Sequence, residues 1–290
     1  MTRSWLPPLL VKIVLIVAAI LSVVPMIWLI LAPSKLRAEF GSLPPFAFGS
    51  FENYGVAWNN LMSFQHGILL TWAWNSLWYT AIIVLIATIT AVMAGYSLAV
   101  TAIPFRRTLV SVTLITMLVP AVALVLPLFL EVSALGLYNS PWAFILVSAL
   151  NPFGVFLAYI HFSTAVPPEL YEAARIDGVS ETGIFFRIAF PLSKGLAGMV
   201  AFFAFTATWV NYFLPYVLLG KNTAFTLPVG LGVLFSATPA LNPSLGASTI
   251  PIGRPEIALA GLVIAIPILV IFLLSSRFLV RGTFSGSVKS

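Results

Sequence analysis

The stretch Glu172-Ala-Ala-Arg-Ile-Asp-Gly178 is a short charged segment that lies between two long apolar segments of the chain. Pro167 and Pro168 precede it, and proline suits the first turn of a helix because an N–H there would have no helical partner. Glycine readily adopts the left-handed conformation that ends many helices, so Gly178 marks the end. The pattern therefore predicts a helix of about two to three turns over residues 169–177.

The predicted helix has one polar face and one face with little side-chain bulk. The polar face consists of Glu169, Glu172 and Arg175. The less bulky face consists of Leu170, Ala173 and Ala174. Because small side chains let another protein approach the backbone closely, we interpret this segment as a docking helix. A second helical stretch is predicted after it, with Ser180 as its N-cap and Pro191 as its end.

The composition of the chain is that of a membrane protein. Hydrophobic residues make up 60% of it and charged residues 8%, and the mean hydropathy is +1.07. A helix needs roughly 20 apolar residues to span the hydrocarbon layer. Stretches of this kind predict an all-α domain over residues 1–290 with six spans, at about 9–32, 72–100, 109–130, 141–160, 196–219 and 257–280.

The positive charges predict which loops face the cytoplasm. In a six-span arrangement, ten of the fourteen Lys and Arg residues fall on one side, and the other four are Lys35, Arg37, Lys221 and Arg254. By the positive-inside rule, both termini, the loop 161–194 and the tail 281–290 are then cytoplasmic. The loops 33–71 and 220–256 are extracytoplasmic.

Residue types exclude most catalytic chemistry. The chain has no cysteine, so it has no disulfide, catalytic thiol or thiolate metal site. The two histidines, His66 and His161, are far apart in the sequence, and no cluster of metal-ligating residues is evident. No Walker lysine loop or nucleophile elbow is present. We therefore predict no catalytic residue and no metal or other cofactor in this chain, which is not expected to be an enzyme.

The spacing around the docking helix resembles that of a known family. Glu172-Ala173-Ala174 is followed after three residues by Gly178 and after nine more by Ile188-Ala189-Phe190-Pro191. This pattern is similar to the signature loop of inner-membrane permeases of binding-protein-dependent ATP-binding-cassette importers, with Phe190 in place of a leucine. Weaker matches to the carbohydrate branch, on the side of the smaller maltose permease, are Asn53-Tyr54, Asn75-Ser76-Leu77, Gly136-Leu137 and residues 281–289.

The resemblance implies a type I importer permease fold and a set of partners. They are a second, non-identical permease, two nucleotide-binding ATPase subunits that bind ATP and Mg, and an extracytoplasmic sugar-binding protein, in the inner membrane of a prokaryote. Docking to an ATPase subunit is expected from Glu172, Ala173, Ala174, Asp177 and Gly178. Ser287, Val288 and Lys289 of the tail are expected to contact the ATPase subunits, and the loop 220–256 the sugar-binding protein.

Polar and aromatic residues within the spans suggest a pathway for the solute. The candidates are Asn75, Asn151, Trp209, Asn211 and Tyr212, whose amides could bond sugar hydroxyls and whose rings could stack on sugar rings. The alternative for each is an interhelical hydrogen bond or an aromatic anchor at the membrane interface. In related permeases an acidic residue commonly follows the Trp-Asn of this span, whereas this chain has Trp209-Val-Asn-Tyr212.

Three further questions stay open in the sequence. Asp177 either caps the turn or pairs with Arg175 or Arg187. The prolines in or near spans are either hinges or ordinary membrane-helix prolines; they are Pro25, Pro120, Pro127, Pro152, Pro215 and Pro267. The expected solute is a neutral di- or oligosaccharide, and the alternatives are another importer solute (glycerol phosphate, polyamine or peptide) or an ion-coupled secondary transporter. No acidic residue lies near the middle of a span, which disfavours ion coupling.

Overall fold

The protein is all-helical in the part of the chain that the structure, a computed structural model, describes. These residues are 8–239, 241, 242, 244 and 251–284, and none of them forms a β-strand. The all-α prediction is thus confirmed. The helices are α1 Pro8–Leu31, α2 Glu52–Ser63, α3 Ile68–Val100, α4 Arg106–Leu118, α5 Ala121–Ala134, α6 Pro141–Ala149, α7 Pro152–Thr164, α8 Pro168–Ile176, α9 Glu181–Ile184, α10 Phe190–Leu192, α11 Lys194–Trp209, α12 Phe213–Leu218, α13 Leu227–Ser236 and α14 Arg254–Phe284.

Four stretches are long and apolar enough to span a membrane without a sharp bend. They are Leu9–Ser34, Ile68–Val100, Pro141–Thr164 and Arg254–Ser276. Two bent pairs of helices bring the number to six if each pair is one span. The pair α4 and α5 bends by 106°, and the pair Glu181–Leu192 and Lys194–Trp209 bends by 79°.

Three of the predicted spans are not continuous helices. The stretch 141–160 breaks at Leu150 and Asn151, before Pro152. The stretch 109–130 breaks at Val119, whose ψ is 124°, because a residue before proline disfavours the helical conformation. The stretch 196–219 breaks after Trp209 and resumes at Phe213. There Pro215 has no N–H to donate, and a continued helix would bring its ring against the carbonyl of residue 211.

The prolines thus divide into two groups. Pro120 and Pro152 stand where a new helix begins, and Pro215 is the third residue of α12. Pro25, Pro127 and Pro267 lie within the assigned helices α1, α5 and α14. The breaks within the spans therefore occur at the prolines of the first group, Pro120, Pro152 and Pro215.

Contacts divide the chain into two compact units. The first consists of residues 8–69 together with the described residues of 231–266. In it the buried carboxylate of Glu256 accepts hydrogen bonds from Asn60 Nδ2 at 2.7 Å and from the Gly253 N–H at 2.8 Å. Arg37 Nη2 lies 3.3 Å from the same carboxylate. The negative charge at the start of α14 is thus paired and hydrogen-bonded.

The described residues of the second unit are 70–230 and 267–284. Its helices α3 and α7 pack closely at Gly95. A Cβ added there would lie only 2.3 Å from the Cβ of Ala158. Such close approach of two backbones through small residues is typical of membrane helices. The buried cluster around this contact continues into α8 and α11 through Tyr171 and Leu196. This core positions the docking segment.

Candidate docking surface and pathway residues

The docking helix α8 ends as its glycine predicts. Gly178 has φ +76°, in the left-handed region. The N–H of Gly178 donates to Arg175 O and the N–H of Val179 donates to Ala174 O, each at 3.0 Å. This pair of bonds is the Schellman arrangement, and Val179 packs against the cluster that contains Ala174, as that motif favours. The end of α8 is therefore fixed in direction.

One face of α8 is buried in the protein's own core. Tyr171 and Ala174 are 3% and 5% exposed. The Tyr96 ring of α3 lies 5.9 Å from the Tyr171 ring, 5.5 Å from Phe162 and 5.2 Å from Phe185, between ring centroids. Burial raises the pKa of Tyr171 to about 12. The expectation that Ala174 contributes to an outward docking face does not match this burial, since its methyl group faces the core.

The opposite face of α8 is open. Glu172, Ala173 and Asp177 are exposed, as is Leu170. Ile176 is 87% exposed, and sequence reasoning did not select it. A signal was available, because Ile176 follows Glu172 by four residues and Ala173 by three and so shares their face. The outward surface thus combines two acidic side chains with Leu170, Ala173 and Ile176.

An ion pair joins α8 to α9. Arg175 Nε donates to Glu181 Oε1 at 2.6 Å, and Arg175 Nη2 donates to Val100 O at 3.2 Å. The hydroxyl of Tyr96 donates to Glu181 Oε2 at 3.4 Å. The bond to Glu181 raises the pKa of Arg175. Arg175 is therefore paired with Glu181 and not with Asp177, whose place is the C-cap of α8.

The second helical stretch begins as predicted and ends later than predicted. Ser180 is the N-cap of α9, since its hydroxyl accepts from the Gly183 N–H at 3.2 Å. A π-helical turn over Phe185–Ala189 follows, and α10 runs through Pro191 to Leu192. Pro191 therefore lies inside a continuous helical stretch, in which it contributes no backbone N–H. The chain then bends at Ser193 into α11.

Asn75 is a structural amide. It is 7% exposed, and its Nδ2 donates to Thr223 O at 2.8 Å and to Phe225 O at 3.0 Å. Tyr79 of the same helix donates to Ala224 O at 3.0 Å, and Ser76 Oγ accepts from the Leu227 N–H at 2.7 Å. Asn75 therefore holds the loop between α12 and α13, and its hydrogen bonds go to that loop and not to a neighbouring helix.

Asn151 lies at the break between α6 and α7. Its Oδ1 accepts from the Gly154 N–H at 2.9 Å, which caps α7. It also lines a cavity of about 530 Å³. The other lining residues are Ser148, Leu150, Phe153, Phe203, Ala204, Thr206, Ala207 and Thr208. None of them is charged, and the sequence prediction included only Asn151.

Asn211 lies at the break between α11 and α12. Its Oδ1 accepts from the Leu214 N–H at 3.3 Å. It lines a second cavity, of about 480 Å³, whose wall includes Leu150, Pro152 and Phe213 and has no charged side chain. Leu150 lines both cavities, so the amides of Asn151 and Asn211 line neighbouring cavities. Sequence alone could not connect them, because they are 60 residues apart.

The two aromatic candidates differ in exposure. Trp209 is 5% exposed, and its ring stacks on Phe205 with centroids 5.6 Å apart. Tyr212 is 40% exposed and stacks on Tyr216 with centroids 5.5 Å apart. Trp209 is therefore part of the packing, whereas Tyr212 presents an accessible ring. Ser287, Val288 and Lys289 lie outside the described residues.

Comparison with known proteins finds a matching family and relatives that are transport-system components. The family model described as "Binding-protein-dependent transport system inner membrane component" matches residues 91–285. The arabinooligosaccharides transport system permease protein AraQ of Halalkalibacterium halodurans is 35% identical over 78% of this chain and 76% of its own length. The lactose transport system permease protein LacG of Rhizobium radiobacter is 29% identical over 99% and 98%.

A solved structure has the same fold. It is a chain of a bacterial ABC transporter involved in the import of the acidic polysaccharide alginate, with a TM-score of 0.76. The match covers 93% of this chain and 95% of that chain at 21% identity. The fold is therefore that of an importer permease, as predicted.

Proposed function

The chain belongs to the family of inner-membrane components of binding-protein-dependent transport systems, and from this premise we propose that it carries a neutral di- or oligosaccharide across the membrane. It is a multi-pass permease subunit, and such subunits are not themselves enzymes. The names of its relatives, which include arabinooligosaccharide and lactose permeases, support a sugar.

The chemistry of the two cavities at the helix breaks is the observation that supports a neutral sugar as the substrate. Their walls combine the amides of Asn151 and Asn211, the hydroxyls of Thr206 and Thr208, and phenylalanine rings. Amides and hydroxyls bond sugar hydroxyls, and aromatic faces stack on sugar rings. A phosphate or carboxylate would leave a charge without a partner there, which is costly.

Energy for transport is proposed to come from ATPase subunits that bind ATP and Mg. The outward face of α8, with Glu172, Ala173, Ile176 and Asp177, is the proposed contact with such a subunit. Gly178 fixes the direction of this face, and the core behind Tyr171 carries its movement into α3. The support for this proposal is the contrast between an open outer face and a packed inner face on one short helix.

A second, non-identical permease and two ATPase subunits are proposed to complete the transporter. A solute-binding protein follows from the family, and the loop 220–256 is proposed to contact it. Parts of that loop, residues 240, 243 and 245–250, lie outside the described residues. Residues 223–225 at the start of that loop are anchored on α3 through Asn75 and Tyr79, which would give a docked protein a fixed point of contact.

The proposed orientation places both termini and α8 in the cytoplasm. Reporter proteins fused after residue 280 and within residues 101–108 should report the cytoplasm, and one near residue 242 the outside. A cytoplasmic signal near residue 242 would contradict the proposed topology.

The C-terminal tail is proposed to insert between the ATPase subunits. Deletion of residues 285–290 should lower transport and the ATPase activity coupled to it, and leave membrane insertion intact. Unchanged coupled ATPase activity in the truncated transporter would argue against this role.

The substrate class is tested with the purified complete transporter. Its ATPase activity should rise when the cognate binding protein is loaded with an oligosaccharide and stay at the basal rate with amino acid, peptide or polyamine. A response only to one of these other solutes would remove the sugar proposal and leave the importer. Uptake that follows an ion gradient without ATP would instead support a secondary transporter.

A further inference from the structure

An uncharged aromatic segment lies in the connection between α1 and α2, directly before α2. Residues 43–51, Leu-Pro-Pro-Phe-Ala-Phe-Gly-Ser-Phe, form what we call the aromatic loop. Phe46, Phe48 and Phe51 are 52%, 44% and 80% exposed. The rings of Phe48 and Phe51 pack on each other with centroids 4.7 Å apart. Phe48 and Phe51 thus form one outward patch in the first unit, and Phe46 is a further exposed ring of the same loop.

Hydrogen bonds fix the aromatic loop to residue 34. Ser34 is fully buried, and its hydroxyl accepts from the Gly49 N–H at 2.9 Å. Its carbonyl accepts from the Ser50 N–H and from Asn53 Nδ2, each at 2.7 Å. A Cβ added at Gly49 would lie 2.2 Å from that carbonyl oxygen, so only glycine permits this approach. The loop is therefore rigidly attached at this point.

A buried lysine provides a second attachment. Lys35 is 3% exposed, and its Nζ donates to Pro44 O at 2.6 Å and to Pro45 O at 2.9 Å. The ammonium group also lies 5.8 Å from the centroid of the Phe40 ring. The positive charge is thus satisfied inside the protein, and the surface of the loop stays uncharged.

These attachments set the depth of the patch. Ser34 follows the last residue of α1, Leu31, by three positions, and the hydroxyl of Tyr54 donates to Ile30 O in the last turn of α1 at 2.5 Å. The apolar surface of α1 that precedes it is unburied throughout its most hydrophobic window. The loop is therefore attached beside the end of an exposed apolar span, at the level where that span ends.

We propose that the aromatic loop is a membrane anchor, which inserts Phe46, Phe48 and Phe51 among the lipid headgroups at the C-terminal end of α1. Aromatic and other apolar side chains next to a span favour this zone, where rings meet acyl chains and the backbone meets water. A rigid loop loses little conformational freedom on insertion, because its backbone is already ordered. The anchor holds the end of α1 at a constant depth.

Single-cysteine labelling tests this proposal directly, because the chain has no cysteine of its own. The variants Phe51→Cys and Phe46→Cys are labelled with an environment-sensitive fluorophore. Asn59→Cys, at an exposed polar position of α2, is the aqueous reference, and Leu21→Cys, exposed on α1, is the acyl-chain reference. The full chain, co-expressed with its partner subunits, is reconstituted in vesicles of phosphatidylethanolamine and phosphatidylglycerol.

A nitroxide-labelled lipid with the spin label close to the headgroup should quench most of the fluorescence at positions 51 and 46 and little at position 59. A lipid labelled near the end of its acyl chain should quench position 21 most. The result should not change when the solute-binding protein is added. Emission at both loop positions like that at position 59 would overturn the proposal, and a shift seen only with the binding protein would assign the patch to that protein.

Discussion

The docking segment and the helix breaks belong to the same unit and are built in opposite ways. Behind α8, the rings of Tyr96, Tyr171 and Phe185 fill the space, and the helix end is fixed by Gly178. At the breaks beside Asn151 and Asn211, helices stop and restart around cavities of about 530 and 480 Å³.

This difference matches the two proposed roles, with α8 as the lever that transmits movement and the helix breaks as the passage for the solute. A packed core transmits displacement because its side chains have no space into which to move. A helix break leaves backbone groups that capping amides satisfy, and irregular backbone is tolerated at membrane depth where it lines a cavity or is buried in protein. Substitutions behind α8 should therefore affect coupling, and those at the breaks should affect passage of the solute.

The largest effect is expected at Gly178. Gly178→Glu places a bulky residue at φ +76°, which costs about 1–2 kcal/mol, and adds a charge beside the proposed docking face. The transporter should insert normally and lose uptake, as measured with radiolabelled sugar in proteoliposomes and by immunoblot of membranes.

The matched control is Gly136→Glu. Gly136 has φ +70° and, like Gly178, no neighbouring atom within 4 Å of an added Cβ, but it lies at the end of α5. The Gly136→Glu variant should retain most of the sugar uptake. Equal loss in both variants would assign the effect to strain in the turn, and normal uptake by Gly178→Glu would refute the docking role of α8.

A smaller effect, on stability, is expected at Asn75. Asn75→Ala leaves the carbonyls of Thr223 and Phe225 without this donor, a cost of about 1–3 kcal/mol. The melting temperature in detergent should fall, while transport per folded molecule stays unchanged. Thr90→Ala is the control, since the hydroxyl of exposed Thr90 bonds only within α3. A melting temperature equal to that of the control, with reduced transport, would instead place Asn75 on the pathway.

Asn151 should affect transport more than stability. Asn151→Ser keeps a capping oxygen for α7 and removes the amide that faces the cavity. Loss of one hydrogen bond of about 1 kcal/mol in the rate-limiting complex lowers the maximal uptake rate roughly fivefold. The rate is measured at saturating loaded binding protein. If Asn151→Ser transports normally and only Asn151→Ala is impaired, the residue acts as a helix cap alone.

The smallest effect is expected at the ion pair. Arg175 and Glu181 have side chains that are 38% and 48% exposed, and such pairs contribute about 0–1 kcal/mol. A double-mutant cycle with Arg175→Gln and Glu181→Gln should give a coupling energy in this range from thermal unfolding, with transport reduced less than by Gly178→Glu. A loss of uptake as complete as that of Gly178→Glu would make the pair part of the lever.

Local features of the fold were predictable because their causes are local. Apolar length predicts spans, proline and glycine predict where α8 starts and ends, and Ser180 predicts a cap. The breaks at Val119 and at residues 210–212 were harder to predict from the sequence, since apolar residues continue across them. Proline at 120 and 215 marked both places, but Pro25, Pro127 and Pro267 lie within assigned helices, so proline alone did not separate the cases.

The sequence by itself determined an all-helical membrane permease and the start and end of helix α8, because hydrophobic length, caps and a short motif act over a few residues. Tertiary structure alone decided that Ala174 faces the core and Ile176 the outside, that Arg175 pairs with Glu181, and that Asn75 holds a loop while Asn151 and Asn211 face cavities. Three asparagines of equal chemistry have different roles because each role depends on which distant helix or loop lies opposite, and short-range patterns carry no information on that.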